Sequence, residues 1–101
     1  MDMQQMLRSM QKMQTQMKKT QESLQSQSFS AEAGGGAVKI TIDGNGTVTD
    51  LKIAKSAVDP NDVEALEDLL MAAFNEAVSK KDEAYQESVG AITKGLKIPG
   101  F

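Results

Sequence analysis

The first 26 residues constrain the fold more than any other stretch. In MDMQQMLRSMQKMQTQMKKTQESLQS, Met3, Met6, Met10, Met13, Met17, Thr20 and Leu24 lie alternately three and four residues apart. That spacing is a heptad seam, and only an α-helix brings such residues onto one side. At about 100° per residue these positions fall within a stripe roughly 100° wide. Arg8, Lys12 and Lys19 cluster on the opposite side, within about 40° of one another, and Lys18 sits on a flank. Glutamines fill much of the remainder, and SQS at Ser26–Ser28 closes the helix. An apolar seam with a basic, amide-rich back needs a protein surface for the first face and leaves the second to solvent or to an anion.

From residue 28 the period changes from 3.6 to 2. SFSAEA alternates Phe29, Ala31 and Ala33 with polar residues, and AVKITID alternates Val38, Ile40 and Ile42 with Lys39, Thr41 and Asp43. In TVTDLKIA, Leu51 and Ile53 are in phase but Val48 is not, which predicts a bulge or a change of face. Gly34-Gly35-Gly36 separates the first two runs, and Asp43-Gly44-Asn45-Gly46 is a hairpin signal between the second and third. Three antiparallel strands in a meander follow. Asp59-Pro60 then reads as a cap followed by a first helical position. Val63, Leu66, Leu70, Ala73, Phe74, Ala77 and Val78 make an apolar helical face, extended by Ala84, Tyr85, Val89 and Ile92. Lys80-Lys81-Asp82-Glu83 interrupts it midway. The expected organisation is one domain over residues 1–101: a helical arm over 1–26, a sheet over 28–55, a long acidic helix over 60–94 and a tail over 95–101. The fold class is α+β, a two-layer α-β(3)-α arrangement with a three-stranded antiparallel meander and two long helices.

A chain of 101 residues buries only about 60–65% of its unfolded surface. With Phe29, Phe74, Phe101 and Tyr85 as its only aromatics, its core is thin, so pairing with a second copy is the natural way to gain buried area. Met3, Met6, Met10, Met13, Met17, Val38, Ile40 and Ile42 are the candidate residues for helix packing and the dimer.

Net charge is −3, but the charge is segregated. Residues 1–24 carry four bases against Asp2 and Glu22, whereas residues 59–92 carry nine acids against two lysines. Lys94 and Lys97 make the other end basic again. Segregation of this kind says more about partners than the total does.

The chain has no cysteine and no histidine. That removes disulfides, thiolate metal sites, the commonest general base and the commonest transition-metal ligand. A Cu(I) thioether site on the methionines would profit from one of those two residues. The acids of DPNDVEALED match neither an EF-hand loop nor a Glu-x-x-His motif. The glycine triplet precedes a strand and no Gly-Lys-Ser/Thr follows, so it is a turn rather than a phosphate loop. No enzyme, cofactor, metal or small-molecule substrate is expected. No apolar run approaches the roughly 18 residues of a membrane span and no apolar leader is present, so the expected location is cytoplasmic. The basic back of the first helix has two readings: a solvated face, or a row of contacts to nucleic-acid phosphates. The methionine seam admits a further one, a module that docks helices of other proteins on a soft, adaptable surface.

MQQMLRSMQKMQTQMKK, EAGGGAVKITIDGNGTVTDLKI, DVEALEDLLMAAFNEAVSK and the closing GLKIPGF together resemble the YbaB/EbfC family of bacterial nucleoid-associated proteins over essentially the whole chain. The resemblance implies an α-β(3)-α homodimer with protruding helical arms. It implies binding to double-stranded DNA in the nucleoid, with compaction or bending of the chromosome. It places DNA contacts on the arms, here Arg8, Lys12, Lys18 and Lys19, and also on Lys94 and Lys97. No aromatic or Asn-rich recognition helix is apparent, so little sequence readout is expected.

Overall fold

The computed structural model describes residues 2–96, with side chains through Ile92. Its elements are helix α1 (Met3–Ser26), strands β1 (Ser28–Ala33), β2 (Val38–Asp43) and β3 (Val48–Ile53), a 3-10 turn at Lys55–Ala57, and helix α2 (Val63–Leu96). The expected α+β class and antiparallel meander are both present, with strand order β1-β2-β3.

Local chemistry explains each boundary. The Asp2 carboxylate accepts from the Gln5 backbone N–H at 2.8 Å and starts α1. Gly34, Gly35 and Gly36 all have positive φ, so the β1–β2 connection turns where side chains would be strained. The β2–β3 turn is built on Asp43, whose carboxylate accepts from the Asn45 and Thr47 N–H groups at 2.9 and 3.0 Å. The displaced phase of Val48 is a β-bulge: Thr41 pairs with Asp50 but Ile42 pairs with Val48, leaving Thr49 as the extra residue.

The second helix begins three residues later than Pro60. Asp59 instead folds its own turn, accepting from the Asn61 N–H at 2.9 Å on its side chain and from the Asp62 N–H at 2.9 Å on its carbonyl. Asp62 then caps α2, accepting from the Ala65 N–H at 3.3 Å. Pro60 thus occupies a turn position, where its fixed φ is equally suited.

The core lies between α2 and the first two strands. Ala31, Val38, Ile40, Ile42, Ala73 and Ala77 are buried, with Phe29, Leu66, Leu69, Leu70 and Val78 packed around them. Val48, Leu51 and Ile53 pair with Ile42, Ile40 and Val38 and so share their face of the sheet. However, α2 lies over β1 and β2, and every residue of β3 is exposed.

Three long-range bonds fix the helices to the sheet and its turn. The Lys80 ammonium donates to the Ser30 carbonyl at 2.7 Å, so the first lysine of the pair that breaks the apolar stripe anchors α2 at the β1 edge. The Tyr85 hydroxyl donates to the Gly44 carbonyl at 3.2 Å. The Gly44 N–H in turn donates to the Gln25 carbonyl at 3.3 Å. The β2–β3 turn is therefore clamped between the end of α1 and the middle of α2.

Candidate nucleic-acid interface

The clamp at Gly44 sets how far α1 projects. Gln25 and Tyr85 both reach Gly44, so they are roughly level. From there the helices run side by side in opposite directions along the chain, with Lys19, Thr20, Ser23, Leu24 and Gln27 facing Ser88, Ala91 and Ile92 across a shared groove. Beyond Tyr85, α2 continues about 16 Å to Leu96, while α1 runs about 33 Å back to Met3 at 1.5 Å per residue. The N-terminal helix therefore overshoots its neighbour by about 17 Å, roughly residues 3–13.

Burial along the seam follows that geometry. Leu24 is buried, Met13, Met17 and Thr20 are half-buried, and Met10, Met6 and Met3 are exposed. The last three keep 54, 52 and 77% of their surface accessible. The principal extents of the molecule are 69 × 23 × 16 Å and its radius of gyration is 19.7 Å, against about 13 Å for a compact domain of this length. The difference comes from the two long helices: the 34 residues of α2 span about 51 Å, and the overshoot of α1 adds about 17 Å.

Arg8, Lys12, Lys18 and Lys19 are all exposed on α1. None takes part in an ion pair, the one such pair among the described residues being Lys81–Asp82 at 3.6 Å. From Arg8 to Lys19 the cations span about 16 Å of helix axis, the length of about five base-pair steps. Arg8 and Lys12 stand on the overshooting arm, Lys18 on a flank of the packed part and Lys19 at the rim of the groove shared with α2, and all four stay exposed. Lys94 lies within α2, beyond the last described side chain, and Lys97 lies outside the described residues. Val38, Ile40 and Ile42 sit under α2 at 0, 5 and 0% exposure, apart from the arm. The described residues hold no cluster of acids suited to a metal, and no described helix is long and apolar enough to cross a membrane.

A second feature was not read from the sequence. Val48, Leu51 and Ile53 on β3, with Val63, Met71 and Phe74 on α2, are exposed apolar side chains. Lys80 marks the flank of α2 turned to the β1 edge, and Phe74 lies about 120° around the helix from it. The bare face of β3 and the bare flank of α2 thus adjoin as an uncovered trough. Its signal in the sequence was a count: one helix face cannot cover three apolar strands.

Comparison with known proteins follows the same outline. The profile of the YbaB/EbfC DNA-binding family matches residues 1–96. A nucleoid-associated protein of Alkaliphilus metalliredigens is 42% identical over 100 residues, covering 99% of this chain and 88% of that one. A nucleoid-associated protein of Rhodospirillum rubrum is 43% identical over 95 residues, covering 94% of this chain and 89% of its own. Among solved structures, an uncharacterized protein of Helicobacter pylori superposes with a TM-score of 0.73 at 26% identity, over 86% of this chain and 91% of the other.

Proposed function

Because the chain belongs to the YbaB/EbfC DNA-binding family, we propose that it works as a homodimer that holds duplex DNA through phosphate contacts along the back of α1. It is a DNA-binding protein and not an enzyme. The observation that carries the finer reading is the row Arg8, Lys12, Lys18 and Lys19, exposed and without an ion-pair partner among the described residues, on a helix whose seam is covered from Met13 to Leu24.

The trough of Val48, Leu51, Ile53, Val63 and Phe74 supports the homodimer, since a second copy would cover it and double the number of arms. Two arms offer two basic rows to one duplex. Contacts of this type neutralise phosphates and release counterions, with no reading of base edges. Binding is therefore expected to depend little on sequence and to compact or bend the DNA that the arms engage.

Salt dependence tests this. With three phosphate contacts per arm, six in all, the logarithm of the binding constant falls with the logarithm of salt at a slope of about −5. Fluorescence anisotropy of a labelled duplex across salt concentrations measures it. The triple reversal R8E/K12E/K19E is expected to abolish binding while leaving the homodimer mass unchanged. A flat salt response, or full affinity in the reversed protein, refutes the assignment.

A further inference from the structure

We propose that the arm tips are a self-association surface, through which Met3, Met6 and Met10 of one molecule pair with the same residues of another, joining two DNA-bound molecules. This rests in part on the DNA reading above. The seam continues with unbroken heptad spacing past the point where α2 ends, so the tip presents half of a helix–helix interface with no partner in the chain's described residues. Leu7, also exposed, widens it.

Charge identifies the occupant as a second copy rather than a charged partner. Arg8 and Lys12 lie on the far side of the helix from the seam. The positions flanking the seam at the tip are Leu7, Ser9 and Gln14, with Asp2 at the helix start as the one charge. Two tips meeting antiparallel, Met3 of one against Met10 of the other, set Asp2 level with about residue 11 of the other copy, near Lys12 rather than a second Asp2, so like charges are not opposed. Methionine suits a contact whose register is loose, because its side chain adapts to imperfect neighbours.

The area sets the strength. Four side chains per tip bury well under the roughly 800 Å² per partner of a stable interface. Free molecules therefore stay unpaired at ordinary concentration. On DNA, several tips act together and avidity makes the contact effective. The surface would then bridge duplexes while leaving each molecule's hold on its own duplex unchanged.

The experiment uses the full chain and a variant carrying M3Q, M6Q and M10Q. Glutamine keeps helix propensity close to that of methionine, and the three sites are exposed, so the fold is not at risk. Three readouts are taken: anisotropy with one duplex, capture of a fluorescent second duplex by protein on bead-bound DNA, and sedimentation at millimolar protein without DNA. The expected result is unchanged single-duplex affinity, at least a tenfold loss of second-duplex capture, and loss of a species heavier than the homodimer at high concentration. Unchanged capture together with an unchanged heavy species overturns the proposal. So does a wild-type protein that neither bridges nor self-associates, whether residues 97–101 or a different protein covers the seam. If wild type binds no DNA at all, the DNA reading fails by itself, and the heavy species, present in wild type and absent from the variant, still decides tip pairing.

Discussion

Replacing Gly44 by alanine tests the clamp that aims the arm. A Cβ at this position would strike the Leu24 carbonyl group and come within 2.6 Å of the Gln25 Cα. All of these are backbone atoms, so no side-chain rotation relieves the clash. Either the turn or the end of α1 must move by an ångström or more. That movement breaks the bond from the Gly44 N–H to the Gln25 carbonyl and the bond from the Tyr85 hydroxyl to the Gly44 carbonyl, each worth about 1 kcal/mol. It also lifts Leu24, the one buried residue of α1 at 3% exposure, partly out of its site; complete truncation of such a leucine costs about 2–5 kcal/mol. Gly44→Ala is therefore expected to destabilise the protein by about 3 kcal/mol, or more than about 10 °C in melting temperature for a domain of this size. Urea denaturation followed by circular dichroism at fixed protein concentration measures it. A change below about 0.5 kcal/mol, the range of an ordinary surface substitution, would mean that α1 is not held by this turn. The level from which the arm's overshoot is measured would then be lost.

Two further substitutions separate the other parts of the molecule. Asp43→Ala removes both side-chain bonds of the β2–β3 turn and is expected to cost about 1–2 kcal/mol; an unchanged urea midpoint would show that the turn holds its shape without them. Leu51→Asp places a charge in the trough where a second copy is proposed to sit, so sedimentation is expected to show the mass falling to that of one chain; a dimer of wild-type stability would move the interface elsewhere.

Periodicity made most of this fold legible, because helix and strand faces announce themselves in the spacing of apolar residues. The meander, the bulge at Val48 and the glycine turn all follow from neighbours in sequence. The start of α2 did not, since Asp59 and Asp62 are both good caps. The choice between them depends on Pro60 completing a turn that satisfies the Asn61 and Asp62 N–H groups before the helix begins. Nor could spacing tell which methionines are covered. Met17 and Met3 occupy equivalent seam positions, yet one is half-buried and the other exposed. The difference lies in where α2 ends relative to Gly44, a tertiary length that no local pattern records. The cations were visible as a cluster from the start, but their freedom from acids is a property of the assembled helices.

That freedom bears on how a chain of net charge −3 approaches a polyanion. Glu87 is the last acid in the sequence, and it lies two residues beyond Tyr85, level with about residue 23 of α1. Lys12 is then about 16 Å farther out along the helix and Arg8 about 22 Å, while the Debye length at physiological ionic strength is about 8 Å. The tip is thus electrostatically remote from the acidic body, and with Arg8 and Lys12 against Asp2 a duplex meeting it experiences a local positive charge rather than the molecular total. Lys18 and Lys19 stand within about one such length of Glu87 and work against it. The acidic helix repels DNA from its own side of the body. On the proposed reading, the length of the arm and the charge of the body act together: the first makes binding possible, and the second disfavours approach from the side of α2.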